Sequence, residues 1–271
     1  MAKRRLATIV GALLLLAGAS GCATPPDRSD AAAYAEFRAI NDPFEPLNRQ
    51  IFGFNQAFDA MALRPAAIFY RDIIPPPFQR GANNFLANLQ SPVILFNDLL
   101  QLNFSAAGNT LMRFIINSTL GVAGLDDRAS DFGYARREND FGQTLAVWGV
   151  PPGPYLVLPG FGPSSPRDAA GLAVDSAVLD PLGVLGNFNS NLADLSWSRL
   201  GVSAANARSR VDAELEDLKK NSLDFYATLR SLYRQMRAAQ ISSDARPGGG
   251  APEPGGGDYE PFPDIPDLPD E

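Results

Sequence analysis

The chain has 271 residues, is 45% hydrophobic and 20% charged, and carries a formal net charge of −7 with no histidine and a single cysteine. That composition suits a folded protein of one large domain or two small ones. It excludes a Ser-His-Asp triad, a Cys-His pair, a His-rich zinc site and an intrachain disulfide framework.

The N-terminus reads MAKRRLATIVGALLLLAGASGC. A basic start, an apolar run from Leu6 to Ala17 and a closing set of small residues make an export signal over residues 1–21. The run is short for a bilayer span. Ala19-Ser20-Gly21-Cys22 resembles a bacterial lipobox, which places cleavage before Cys22 and lipid on its thiol and new amine. Ala23 follows, with no Asp there to hold a lipoprotein at the inner membrane, so the outer membrane of a Gram-negative envelope is expected. Residues 22–40 serve as a lipidated tether.

Helix signals dominate residues 41–240. Asp42-Pro43 reads as an N-cap with proline at the first helical position. Phe44, Leu47, Ile51, Phe54, Phe58 and Met61 then alternate spacings of three and four, an apolar stripe. Asn48, Phe52 and Asn55 occupy the neighbouring stripe, where a soluble helix normally carries charge. Ser91-Pro92 repeats the start signal before VILFNDLLQ. Ser105 caps a helix ending near Gly121, with Leu111, Phe114 and Ile115 facing inward. Glu138 to Trp148 forms another helix, closed by Gly149. Ser165-Pro166 opens a helix to about Leu179, stopped by Asp180-Pro181. One long or broken helical region covers 191–240. Residues 241–271 are Pro, Gly and acid, with eight acids and one arginine, and are expected to be disordered. The fold class is therefore all-α, a single irregular helical domain. Its frequent Pro and Gly clusters argue against a regular four-helix bundle. No basic stripe of the density that nucleic acid demands is present.

Two features depart from a soluble protein. Ten of the sixteen asparagines fall between Asn41 and Asn117, several inside helices beside Phe and Leu. Uncharged amides can bond between helices or line a wet interior. The second feature is FGQTLAVWGVPPGPYLVLPGFGPSSP, residues 141–166, twenty-six residues without a charge. Its six prolines and five glycines forbid one continuous helix. An uncharged, aromatic loop suits the headgroup boundary or an amphipathic passage, with Trp148 and Tyr155 at the interface. A buried loop in a soluble domain is the alternative. A charge at Val157 is expected to impair membrane association or lipid passage under the first reading.

The motifs NDPFEPLNRQIFGFN, RPAAIFYRDIIPPPFQRGANNFLANLQSP, NDLLQ, RFIINSTLGVAGLDD and NDFGQTLAVWGVPPGPYLVLPGFGPSSPRDAAG follow one another over residues 41–171. In that order, downstream of a lipobox, they resemble the MlaA (VacJ) family of outer-membrane lipoproteins. The resemblance implies a ring-like helical domain embedded in one membrane leaflet, with an amphipathic channel. It implies removal of phospholipid mislocalised to the outer leaflet and transfer to a soluble carrier of the MlaC type. Association with a trimeric porin is implied as well. Candidate channel or lipid contacts are Asn48, Phe52, Asn55, Trp148, Tyr155, Leu156, Val157 and Leu158. For Asn48 and Asn55, cross-linking between elements is an equal alternative. Arg49 and Arg64 are candidates for headgroup or ion-pair contacts. No cofactor, metal or catalytic group is expected: GxxxxGK[ST] and G-x-S-x-G are both absent. A structural lipoprotein that binds porins or peptidoglycan without moving lipid is the rival reading.

Overall fold

The computed structural model describes residues 42–180 and 190–244, together with Asp27, Ser29 and Asp30. The export signal, Cys22, nearly all of the tether and the acidic tail beyond Asp244 lie outside the described residues.

The described chain is helical with one small hairpin. Helix α1 (Glu45–Phe58) runs through a π-helical stretch (Asp59–Leu63) directly into α2 (Arg64–Ile73). Helix α3 (Pro76–Leu100) and α4 (Phe104–Thr119) form an antiparallel pair, followed by a single turn, α5 (Arg128–Asp131). Helix α6 (Phe141–Val147) leads to β1 (Leu156–Leu158) and β2 (Gly162–Ser164), which pair antiparallel with Val157 opposite Pro163. Helix α7 (Pro166–Val174) ends in a second π-helical stretch (Asp175–Leu179). Helices α8 (Ser190–Arg210), α9 (Asp212–Asn221) and α10 (Phe225–Asp244) complete the domain.

The packing closes on itself. Helix α2 lies against α8, α8 against α3, α3 against α6, α6 against α10, α10 against β2, and β1 against α1. This closed circuit is the ring-like all-α domain. The closest crossing, α6 over α7, depends on glycine. A Cβ on Gly171 would sit 2.3 Å from the Gly142 backbone nitrogen, so no larger residue fits.

Several helix starts differ from the sequence expectation. Asp42 does not cap α1; its carboxylate is taken by the Asn48 amide at 2.9 Å, by the Tyr226 hydroxyl and by Arg230. Proline at the first turn is Pro46, not Pro43. Ser91-Pro92 starts nothing: α3 runs through Pro92, and the Ser91 hydroxyl bonds the Ala87 carbonyl of its own helix. Asn103, not Ser105, caps α4 by accepting from the Ala106 N–H. Ser165 does cap α7, accepting from the Asp168 N–H, whereas α6 begins at Phe141 and not at Glu138, with Asp140 as its cap accepting from the Gln143 N–H. The uncharged segment is neither helix nor open loop throughout, since it contains the hairpin.

The distribution of polarity is inverted. Helix α4 turns Ala106, Ala107, Thr110, Arg113 and Asn117 inward. Leu111 and Ile115, expected inside, are 42% and 46% exposed. Along α1 and its π-helical extension, Leu47, Phe54, Phe58 and Met61 point outward, while Asn48 is 1% exposed. The largest side chains that are fully buried are Gln143, Asn48, Asn97, Thr144 and Asp98. Apolar surface normally drives burial at about 25 cal/mol per Å². A fold that leaves Phe69, Phe78, Phe96 and Phe104 outside must meet something other than water there. No helix among the described residues is long and apolar enough to cross a membrane.

Candidate functional site

The inverted interior is held by amides. Asn48 on α1 donates to the Tyr155 carbonyl at 3.0 Å and accepts from the Val157 N–H at 2.9 Å. Two turns on, Asn55 donates to the Leu158 carbonyl at 2.9 Å and accepts from the Gly160 N–H at 2.8 Å. The two side chains act as a short extra strand for the hairpin, satisfying backbone groups that β2 cannot reach. The same device recurs. Asn88 donates to Ser118, Asn97 to Asp175, Asn117 to Asp127, and Asn109 to the Ala135 carbonyl. Asparagine in mid-helix is therefore a cross-link between elements, and of the two roles open to Asn48 and Asn55 the geometry gives this one.

Other candidates also sit in the scaffold. Phe52 meets Phe225 and Tyr226 at ring separations of 5.7 and 5.4 Å. Tyr155 and Val157 are each 2% exposed and form the core cluster with Tyr226, so they are not at a headgroup boundary. Burial, with the Asp42 charge, pushes the Tyr155 phenol up to about 12. Leu156 and Leu158 flank Val157 on the other face of β1 and are half-buried. Trp148 is 53% exposed, and its indole N–H bonds the Leu100 carbonyl at 3.1 Å. Arg49 pairs with Glu45 and Asp224 and lies over the Tyr226 ring. Arg64 pairs with Asp212 and Glu216.

The circuit of helices encloses a cavity of about 650 Å³. Its wall comes from α3, the segment 136–140, β2, α7, α8 and α10. None of the sequence-derived channel candidates lies in that wall. Polar groups such as Asn83, Gln90 and Ser203 alternate with Leu86, Leu172, Leu200 and Met236, which makes the wall amphipathic. One side is fixed by a charge cluster. Arg237 on α10 reaches both carboxylate oxygens of Asp140 at 2.6 Å and Asp168 at 2.9 Å, and the Tyr233 hydroxyl also bonds Asp168. Burial alone would raise both carboxyls; the Arg237 guanidinium outweighs it and holds them below the usual range. Arg199 on α8 pairs with Asp180. These pairs tie α6, α7 and α10 together, and α8 to the end of the α7 segment.

Across the inner edge of α3, Asp98 is 0% exposed and accepts from Thr110 at 2.7 Å and Asn139 at 2.8 Å. Burial raises its pKa, and the hydrogen bonds from Asn139 and Thr110, with the charge of Arg137, offset only part of that. What the arrangement offers is an amphipathic cavity within a polar-cored ring.

Comparison with known proteins agrees with this architecture. The MlaA lipoprotein family model matches residues 40–240. An uncharacterised Rickettsia bellii protein is 39% identical over 204 residues, spanning 75% of this chain and 78% of its own length. The intermembrane phospholipid transport system lipoprotein MlaA of Haemophilus influenzae is 31% identical over 233 residues, 84% of this chain and 88% of that protein. The protein of the same name from Escherichia coli K12 is 30% identical over 203 residues, 72% and 76% of the two chains. A solved structure bearing on the maintenance of bacterial outer membrane lipid asymmetry superposes with a TM-score of 0.64 at 32% identity, covering 74% of this chain and 99% of that one.

Proposed function

This chain belongs to the MlaA lipoprotein family, and on that premise we propose that it draws mislocalised phospholipid from the outer leaflet of the outer membrane. The lipid passes through the ring to a periplasmic carrier, and outer-membrane lipid asymmetry is the result. The observation that carries this reading is the inversion of the fold. Phenylalanines and leucines cover the outside of α1 to α4, where acyl chains would lie, and an amphipathic cavity occupies the middle. In this reading the domain sits within one leaflet, its apolar outer face set against the acyl chains. Exposed Trp148 marks a headgroup level.

Lipidation of Cys22 anchors the chain and adds to the affinity of the belt. The partners are phospholipid, a trimeric porin beside the ring and a soluble carrier of the MlaC type. Transport is passive in this reading: the chain has no P-loop, and with no histidine it has no Ser-His-Asp triad. Hydrolysis products should therefore be absent when lipid passes.

The test is deletion of the gene in its native host, with phospholipid on the outer leaflet as the readout. Exposure should rise on deletion, fall with the intact chain, and stay high with Cys22→Ala. Unchanged exposure in the deletion strain, with no paralogue present, would overturn the reading.

A further inference from the structure

Most charges on the cavity wall are spent on one another. Arg199 holds Asp180, Arg237 holds Asp140 and Asp168, and Asp175 accepts from the Phe141 N–H and the Asn97 amide. Three are not. Arg136, Glu138 and Arg210 line the same cavity, are exposed, and make no ion pair or hydrogen bond among the described residues. Arg136 and Glu138 stand two residues apart with opposite signs and still do not pair. The wall thus presents two open cations and one open anion at separate points, with Gln90 and Ser203 adding uncommitted polar groups.

We infer that Arg136 and Arg210 take the phosphodiester, and Glu138 the ammonium, of a zwitterionic amino-phospholipid headgroup. This rests on the transport reading and names the substrate class of the same cavity. A phosphodiester has only acceptors to offer, and a guanidinium has only donors. An ammonium has three donors and no acceptor, which a carboxylate matches. A headgroup carrying phosphate alone leaves Glu138 facing a like charge. All three side chains stay in water, so each contact is weak. Weak contacts suit a passage, since a headgroup held by a desolvated, bidentate pair would not leave. The apolar residues between the charges, Leu86, Leu172, Leu200 and Met236, give the glycerol and upper acyl carbons a matching surface.

The experiment uses the full-length lipidated protein, purified in mild detergent from membranes containing phosphatidylethanolamine and phosphatidylglycerol. Bound phospholipid is extracted and its headgroups quantified by mass spectrometry for wild type, Glu138→Gln and Arg136→Gln/Arg210→Gln. Lipid carried on the outer belt is common to all three, so the differences report the cavity. Glu138→Gln should lower the ethanolamine-to-glycerol ratio by roughly threefold, the value of one solvent-exposed charge contact. The double arginine variant should lower the bound total of both lipids. Among the described residues none of the three side chains makes an ion pair or hydrogen bond, so melting temperatures should stay within a few degrees of wild type and show that folding does not confound the result. Equal lipid amounts and ratios in all three proteins overturn the subsite. A loss confined to the arginine variant overturns the ammonium assignment. In the deletion strain the two readings separate. If the intact chain fails to restore asymmetry, the transport reading falls; if it succeeds and the arginine variant succeeds equally, only the subsite falls.

Discussion

Asn48 and Val157, 109 positions apart, are joined by a 2.9 Å hydrogen bond from the Val157 N–H to the Asn48 side-chain oxygen. The same amide donates to the Tyr155 carbonyl and to Asp42, so one side chain fixes α1, β1 and the chain entering α1. Replacing Asn48 with Ala strands the Val157 N–H of β1 and the Tyr155 carbonyl just before it. Each unsatisfied buried group costs about 1–3 kcal/mol, so Asn48→Ala should lose roughly 2–5 kcal/mol in thermal or denaturant unfolding. Asn55→Ala should cost less, because its partner Gly160 is open to water.

A charge at Val157 acts on the fold and not on the membrane surface. Val157→Glu buries a carboxylate against Tyr155 and Tyr226. Soluble yield and the melting transition should both collapse. Phe161→Glu, at the exposed turn of the same hairpin, should leave the melting temperature within a few degrees of wild type. Circular dichroism on the two variants checks the contrast.

The outer belt predicts a different behaviour. Phe54 and Phe69 are 58% and 64% exposed, so Phe54→Lys and Phe69→Lys remove little packing. Each removes about 1.5–3 kcal/mol of apolar transfer into lipid. Flotation with vesicles should drop for the Cys22→Ala form of each variant, where the belt alone holds the protein, while melting in detergent is unchanged.

The Arg237 cluster predicts a reversal of pH dependence. Asp140 and Asp168 have depressed folded pKa values, so their contribution is present above the unfolded value, about 4, and is lost as pH falls through the folded values. Arg237→Met leaves two carboxylates with burial as the remaining influence. It should cost about 3 kcal/mol at pH 7, at the low end for a broken buried pair because Asp140 is partly open to solvent. Below pH 5 the variant should regain stability while wild type loses it. Melting temperatures from pH 7 to pH 3 give the test.

Asp98 carries the opposite sign. Its pKa is raised, because burial penalises the charged form more than its partners offset, so the ionised side chain subtracts from stability at pH 7. Asp98→Asn keeps the bond from Asn139 and lets Thr110 accept from the new amide. The substitution should be neutral or stabilising at pH 7, and its advantage should shrink as pH falls.

Helix existence was legible in the sequence, and orientation was not. Ser165-Pro166 announced α7 through local capping chemistry, which a window of a few residues contains. The stripe Phe44–Leu47–Ile51–Phe54–Phe58 was equally clear as a periodic pattern. Periodicity says which residues share a face; it does not say which solvent that face meets. Leu47, Phe54 and Phe58 of that stripe face outward, Ile51 packs on the core cluster, and Asn48 and Asn55 turn to the interior. Three-residue strands such as β1 give almost no alternation to read, and Val157 looked like any residue of an uncharged loop. Pro92 misled because a proline whose missing N–H is tolerated within a long helix carries the same signature as one at a helix start. Arg136, Glu138 and Arg210 were invisible as a group. Arg136 and Glu138 share one segment, and Arg210 on α8 joins them on one cavity wall only because the circuit of helices closes.

The inversion also changes how the protein should respond to temperature. Unfolding an ordinary domain wets apolar side chains and raises the heat capacity by about 12–15 cal/mol/K per residue. Here the interior released on unfolding is rich in Asn, Gln, Thr and paired charges, and wetting polar groups lowers the heat capacity. In detergent or lipid, which continue to cover the belt, the net increment should be small. Its stability curve would then be broad and shallow, falling slowly on warming and showing no cold-induced loss. A calorimetric trace with little step between its folded and unfolded baselines is the thermal signature of a protein turned inside out.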